Sequence, residues 1–246
     1  MSYPPSPPPM EGVRRALAVF AHPDDVDFGA AGTVARWTAE DIDVSYLLVT
    51  RGEAGGIDDA PRPEVAKIRE AEQRAAAAAV GVTDVEFLHG YADGAVYCDH
   101  QLRRDITRAI RQKRPERVLT NSALPDWSQL SGPHHPDHIA VGQAASAAVY
   151  PDARNPHAHP ELLLNEKLEP WTVSEVWFSG GPTPDHHVDI TDTFHQKIAA
   201  LRRHASQLPD PDQVESQLRE WLSHNAKAAG FGDDRLAEGF SIVRSG

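Results

Sequence analysis

From Arg15 onwards the chain alternates short apolar runs with helix-like stretches, and the alternation recurs four times in succession. Arg15 to Phe20 (RALAVF) reads as a strand that stops at Ala21-His22-Pro23-Asp24-Asp25, because a residue before proline is pushed out of the helical region. Gly32 to Glu40 reads as a helix, and Asp43 to Thr50 (DVSYLLVT) as a strand ending in the loop Gly52-Glu53-Ala54-Gly55-Gly56. Pro63 to Val80 is the clearest helix, with proline at its start, Gly81 past its end, and Val65, Ile68, Ala75, Ala76 and Ala79 as an apolar stripe. Val85 to Leu88, Gln101 to Lys113 and Arg117 to Thr120 continue the order strand, helix, strand. A loop from Asn121 to Asp137 then leads into a nearly all-apolar helix, Ile139 to Val149, expected to sit inside the core. Strand–helix–strand crossovers return with one hand, so few folds remain. The expectation is an α/β fold: a Rossmann-like three-layer sandwich with a mostly parallel sheet and its active site at the carboxyl ends of the strands.

Further on, Ser174 to Phe178 and His187 to Ile190 read as strands. Asp192 to Leu208 reads as a helix with Phe194, Ile198, Leu201, Ala205 and Leu208 on one side, and Glu215 to Ala229 as a last helix. No internal repeat or linker interrupts this, so residues 13–246 are expected to form one domain. Residues 1–12, with Pro4, Pro5, Pro7, Pro8 and Pro9, are expected to be a disordered tail and carry no apolar run of the kind a secretion signal needs. No stretch approaches the roughly 18 continuous apolar residues of a membrane span. With 24 Lys+Arg against 36 Asp+Glu, the net charge of -12 argues against nucleic acid as a partner. Cys98 is the one cysteine, which excludes an intrachain disulfide and a Cys-rich zinc module and fits the cytoplasm.

Two histidine–aspartate clusters stand out. His22-Pro23-Asp24-Asp25 follows the first strand, and His134-His135-Pro136-Asp137-His138 follows the fourth. Both lie where a doubly wound sheet binds its ligands. Imidazole nitrogens and carboxylate oxygens are ligands that zinc and similar divalent ions accept, and a catalytic metal needs about three of them plus an open position. His22, Asp25 and one histidine of the second cluster supply such a set. Asp24 stays free to take a proton from water activated by the metal, as metal-assisted hydrolysis requires. Taken singly, either cluster also suits an ordinary polar turn; two of them at strand exits favour a site.

At these residues the chain resembles the PIG-L/LmbE-like zinc-dependent N-deacetylases, whose hallmarks are Ala-His-Pro-Asp-Asp (Ala21 to Asp25) and His-Pro-Asp-His (His135 to His138). Thr50-Arg51-Gly52-Glu53, Arg69-Glu70-Ala71-Glu72, Asp93-Gly94 and His204-Ala205-Ser206-Gln207 look similar too, so the likeness runs from Arg15 to Gln207. The resemblance implies His22, Asp25 and His138 as ligands to Zn2+, with Fe2+ or another divalent ion as the alternative. It implies Asp24 as general base, His135 as oxyanion partner and Asp137 as its orienter. It implies Arg69, Asp93 and Glu53 as contacts to the substrate, a small N-acetyl amino sugar or conjugate. For Arg69 the competing expectation is a helix-surface salt bridge with Glu70 or Glu72. A homo-oligomer is compatible with this reading.

Rival readings include an amidase acting on a thiol- or antibiotic-conjugate amide and a non-catalytic metal-binding relative. A non-haem iron oxygenase would want one residue between its first histidine and its acid, on a β-rich barrel; here there are two, on an α/β pattern. A dinucleotide-binding module would want Gly-x-Gly-x-x-Gly where this chain has His-Pro-Asp-Asp. Roles for His134 and for the His204 to Gln207 segment stay open at this level.

Overall fold

The computed structural model describes residues 5–55, 60–127, 132–208 and 210–245. The first four residues of the expected tail, Gly56 and part of the Asn121 to Asp137 loop therefore lie outside the described residues. In chain order the elements are β1 (Arg15–Phe20), α1 (Asp25–Ala39), β2 (Asp43–Leu48), α2 (Arg62–Ala79), β3 (Asp84–Phe87), α3 (His100–Lys113) and β4 (Arg117–Asn121). There follow α4 (Pro136–Ala147), α5 (Pro160–Leu164), β5 (Glu175–Ser179), β6 (His186–Asp189), α6 (Phe194–Leu201), α7 (Pro211–Ala228) and β7 (Ala237–Arg244).

The strands form one sheet in the order β3-β2-β1-β4-β5-β7-β6. The first five in that order are parallel, and β7 runs antiparallel to both of its neighbours. This is the Rossmann-like layered α/β fold that the alternation implied. β1 is buried on both faces and divides its side chains with period two. Ala16, Ala18 and Phe20 join α1, α2, α6 and α7 in one core, while Leu17, Val19 and Ala21 join α3 and α4 in the other. After β1 the chain moves outward to β2 and β3, then returns to place β4 on β1's other side. The crevice between β1 and β4 is thus the switch point where such sheets bind ligands. Asn121, at the end of β4, ties its two lips together by accepting the Ala21 N–H at 3.1 Å.

Four expectations needed correction. α1 begins at Asp25 rather than Gly32, because Gly29 and Gly32 are contact points within the helix and not breakers: a Cβ at Gly29 would meet Ser179 Oγ at 2.5 Å. β7 was not expected, since a fully buried Glu238 interrupts its apolar alternation. The buried face of α2 runs through Val65, Arg69, Gln73, Ala76 and Ala77, whereas Ile68 and Ala75 are exposed. The expected helix to Leu208 stops at Leu201, so that His204, not Ala205, turns into the core.

Residues 5–12 have no regular secondary structure but are anchored to the sheet edge. The Met10 N–H reaches Glu175 Oε2 at 2.9 Å, and Ser6 Oγ accepts the Ile242 N–H at 2.6 Å. Among the described residues, no helix is long and apolar enough to cross a membrane.

Candidate active site

The chain leaves β1 through Ala21, whose carbonyl accepts from the Thr50 N–H and hydroxyl, and turns sharply at Pro23-Asp24. Asp24 adopts a left-handed conformation (φ 82°, ψ −26°) that a non-glycine residue takes at a cost of roughly 1–2 kcal/mol. Four contacts hold it there. Its N–H donates to Gln73 Oε1 at 2.8 Å, and its carbonyl starts α1 by accepting the N–H groups of Asp27 and Phe28. Arg69 Nη2 reaches both Pro23 O (2.9 Å) and Asp24 Oδ2 (3.0 Å), while Arg69 Nη1 donates to Gly52 O at 2.6 Å. Gly52 has φ +64°, and a Cβ there would lie 2.2 Å from Arg69 Nη1. Arg69 is therefore an internal clamp, not the surface ion pair that its spacing to Glu70 and Glu72 allowed.

His22 stands at the centre, and its two ring nitrogens face different groups. Nδ1 lies 3.2 Å from His138 Nε2 and 3.5 Å from Asp25 Oδ2; His138 Nε2 lies 3.0 Å from Asp25 Oδ1. Nε2 lies 3.0 Å from Asp93 Oδ1 and 3.1 Å from Asp137 Oδ2. Both of those carboxylates are also occupied by backbone donors. Asp137 accepts from Gly94 and Val96, and Asp93 from Ala54 and Gly55. Glu53 accepts the Asp93 N–H at 3.0 Å, which fixes that loop. His135 caps α4 by accepting the Asp137 N–H on Nδ1, so its neutral ring carries the proton on Nε2. Its ring stands edge-on to His22, with centroids 4.9 Å apart. Asp137 thus meets His135 through its backbone, while its carboxylate serves His22.

The charges follow from this packing. Burial works against a proton on His22, but the carboxylates of Asp137, Asp25 and Asp93 outweigh it and push the imidazole up to about 12. Burial works against ionised Asp25, yet His138 and His22 hold its carboxyl far below the usual carboxylate range. Asp93 is likewise held down to about 2 by His22 and the backbone donors, despite burial. Asp24 moves the other way. Burial and the neighbouring Asp25 raise it to about 6, with Arg69 and His204 opposing. His135 falls below its ordinary value through burial and through the nearby His22 and His138.

Among the described residues, two sets of donor atoms lie close enough to share an ion: His22, His135 and His138, and His22, Asp93 and Asp137. In the second set each carboxylate already accepts two backbone N–H groups as well as facing His22 Nε2. The arrangement on the Nδ1 side, with Asp25 oxygens within 3.5 Å of both His22 and His138, fits a divalent cation. Nε2–H held by carboxylates is the outer support that metal-binding imidazoles require. Three carboxylates around one imidazole also make a negative potential that a bound cation would neutralise.

Sequence reasoning brought His22, Asp24, Asp25, His135, Asp137 and His138 together correctly in space, and Glu53, Arg69 and Asp93 lie in the same shell. It missed Gln73 and Asn121, which bond the Asp24 and Ala21 N–H groups, and the buried pair His204–Asp27 behind Gln73 (2.9 Å). Gln73 sits four residues after Arg69, on the same helix face, which was the available signal.

A His/Asp cluster that could hold a divalent ion thus lies on the carboxyl edge of the doubly wound sheet, with the Asp24 carboxylate beside it. The chain matches the family described as "PIG-L: GlcNAc-PI de-N-acetylase" over residues 17–149, and it belongs to that family of deacetylases. It is 32% identical to the diacetylchitobiose deacetylase of Thermococcus kodakarensis, over 96% of this chain and 85% of the relative. It is 31% identical to the 1D-myo-inositol 2-acetamido-2-deoxy-alpha-D-glucopyranoside deacetylase of Rhodococcus erythropolis, over 79% of this chain and 81% of that one. Its fold matches the solved N,N'-diacetylchitobiose deacetylase of Pyrococcus horikoshii with a TM-score of 0.85 at 28% identity, covering 95% and 85% of the two chains.

Proposed function

We propose that residues 13–246 act as one catalytic unit that removes the acetyl group from an N-acetylated amino sugar or its conjugate, with zinc as the metal and ferrous iron as the alternative. The observation that carries this reading is the convergence of His22 Nδ1, Asp25 and His138 Nε2 beside Asp24, an acid committed to none of them. The relatives that deacetylate diacetylchitobiose and a glucosaminyl-inositol support the sugar part of it.

His22, Asp25 and His138 would hold the ion, which when bound supplies Lewis acidity to water and to the acetamide carbonyl. Asp24 accepts the proton from the attacking water at its carboxylate and returns it to the amine that leaves. Arg69 keeps that carboxylate aimed, and burial lifts its proton affinity to about 6, close to neutral working pH, as general acid–base help favours. His135 offers Nε2–H to the oxygen that gains charge, because its Nδ1 is occupied by the Asp137 N–H. Asp93 accepts three donors, leaving room for about one more among a carboxylate's four or so lone-pair positions, so a sugar hydroxyl has a place there. Glu53 supports that position by accepting the Asp93 N–H, and the buried Arg69 acts on the reaction through Asp24 rather than by touching the sugar.

Acetate release measured across N-acetylated sugars, including N,N'-diacetylchitobiose, with chelator and with zinc or iron restored, tests this. The reading expects release that chelator abolishes and metal restores. No release from any of these sugars in the metal-loaded protein would overturn it.

A further inference from the structure

Behind Asp24 lies a buried polar chain that the reaction scheme above does not use. Gln73 accepts the Asp24 N–H on Oε1 and donates from Nε2 to Asp27 Oδ2, both at 2.8 Å. His204 Nε2 lies 2.9 Å from that same Oδ2. Gln73, Asp27 and His204 are each fully buried. From these contacts we infer that Gln73, oriented by the Asp27–His204 pair, is a positioning residue that locks the left-handed Asp24 peptide and so aims the Asp24 carboxylate. The inference rests on the reading of Asp24 as the base.

The geometry dictates the logic. An amide side chain can present either its oxygen or its NH2 to a neighbour, and at Gln73 the two choices have opposite consequences. An aspartate carboxylate accepts and does not donate, so Asp27 fixes the NH2 end on its own side. The oxygen is thereby left for the Asp24 N–H. Reversed, the amide would set its NH2 against that N–H, donor against donor, and the turn would lose the contact that holds it at φ 82°. His204 binds the same oxygen of Asp27 and keeps it facing Gln73.

Stability alone is a poor explanation of the chain. Asp27 Oδ1 and His204 Nδ1 are buried without hydrogen-bond partners among the described residues, and a buried ion pair with unsatisfied atoms is commonly no more stable than an apolar replacement. Helix α6 also ends at Leu201, three residues before His204, whose ring turns inward from the following turn. Those three costs, together with the backbone strain at Asp24, converge on one peptide group.

The test combines kinetics with a measurement on metal-free protein. Gln73→Met keeps the volume and removes both hydrogen bonds; His204→Leu removes the support, and His204→Gln restores an N–H for Asp27. Acetate release from N,N'-diacetylchitobiose should show kcat lowered by about 10–100-fold in Gln73→Met and His204→Leu, with KM within about twofold, as expected for a misplaced catalytic group. His204→Gln should recover most of the loss. In metal-free protein, hydrogen exchange at the Asp24 amide should speed up at least about tenfold in both damaging variants. Leu222→Ala, a core truncation in α7 chosen for a comparable loss of thermal stability, should leave kcat and Asp24 exchange near wild type. Wild-type kcat in folded Gln73→Met or His204→Leu overturns the inference, as does an equal kcat loss in Leu222→Ala. If Asp24→Asn stays fully active while Asp24 exchange still depends on Gln73, the base assignment fails and the network stands as a purely structural brace. If Asp24→Asn is inactive and Gln73→Met is not impaired, the positioning claim alone fails.

Discussion

Replacing Asp24 by Asn should make the metal-free protein more stable and the enzyme nearly inert. The folded chain raises the Asp24 carboxyl from its ordinary 3.8 to about 6. Each pH unit of that difference corresponds to about 1.4 kcal/mol, so ionising Asp24 in the folded state costs about 3 kcal/mol at neutral pH. The sign follows from proton binding. Between 3.8 and 6 the native state holds this proton more tightly than the unfolded chain, so the wild type is favoured at the acid end and loses that advantage as pH rises through 6. Asparagine does not titrate, and it accepts the left-handed backbone more readily than most residues. Urea unfolding of metal-free protein, followed by tryptophan fluorescence, should find Asp24→Asn more stable by about 2–3 kcal/mol at pH 7.5, with most of the gain gone at pH 4.5. In metal-loaded protein, kcat should fall by about 10²–10⁴-fold. A variant no more stable than wild type at pH 7.5, or a difference that ignores pH, would refute the reasoning about burial at Asp24.

Other substitutions test the frame around that residue. His22→Ala and His138→Ala should each lose bound metal by elemental analysis after dialysis, whereas stoichiometric metal in the double variant would mean that the ligands lie elsewhere. Gly52→Ala combines a left-handed backbone with a Cβ 2.2 Å from Arg69 Nη1, so it should cost about 1–3 kcal/mol in unfolding and lower kcat/KM as the Arg69 clamp shifts. Glu238→Gln leaves the buried Lys197 ammonium, 2.7 Å away, without its counter-charge and should destabilise by about 3–5 kcal/mol in thermal or urea unfolding while KM stays put.

The parallel half of the sheet was legible because each buried strand is a short apolar run between turns, and because a histidine–aspartate cluster follows the two strands that flank the switch point. The antiparallel edge was not, since Glu238 sits in the middle of β7 and only its distant partners, Lys197 and the N–H groups of Gly32 and Thr33, make a charge tolerable there. Helix α2 misled in a similar way. Alanines on both of its sides blur the stripe, and the face that is buried carries Arg69 and Gln73, whose reason for being inside is the Asp24 turn. Residue types named the site's ligands; the division of labour between the two nitrogens of His22, and between the backbone and carboxylate of Asp137, needed coordinates.

The account stands or falls on where a divalent ion binds. Diffraction from metal-loaded crystals at the absorption edge of the ion should place one anomalous peak among His22 Nδ1, Asp25 and His138 Nε2, with Asp24 outside its coordination sphere and still bonded to Arg69. A peak on the Asp93–Asp137 side of His22, or one that takes Asp24 as a ligand, would contradict it.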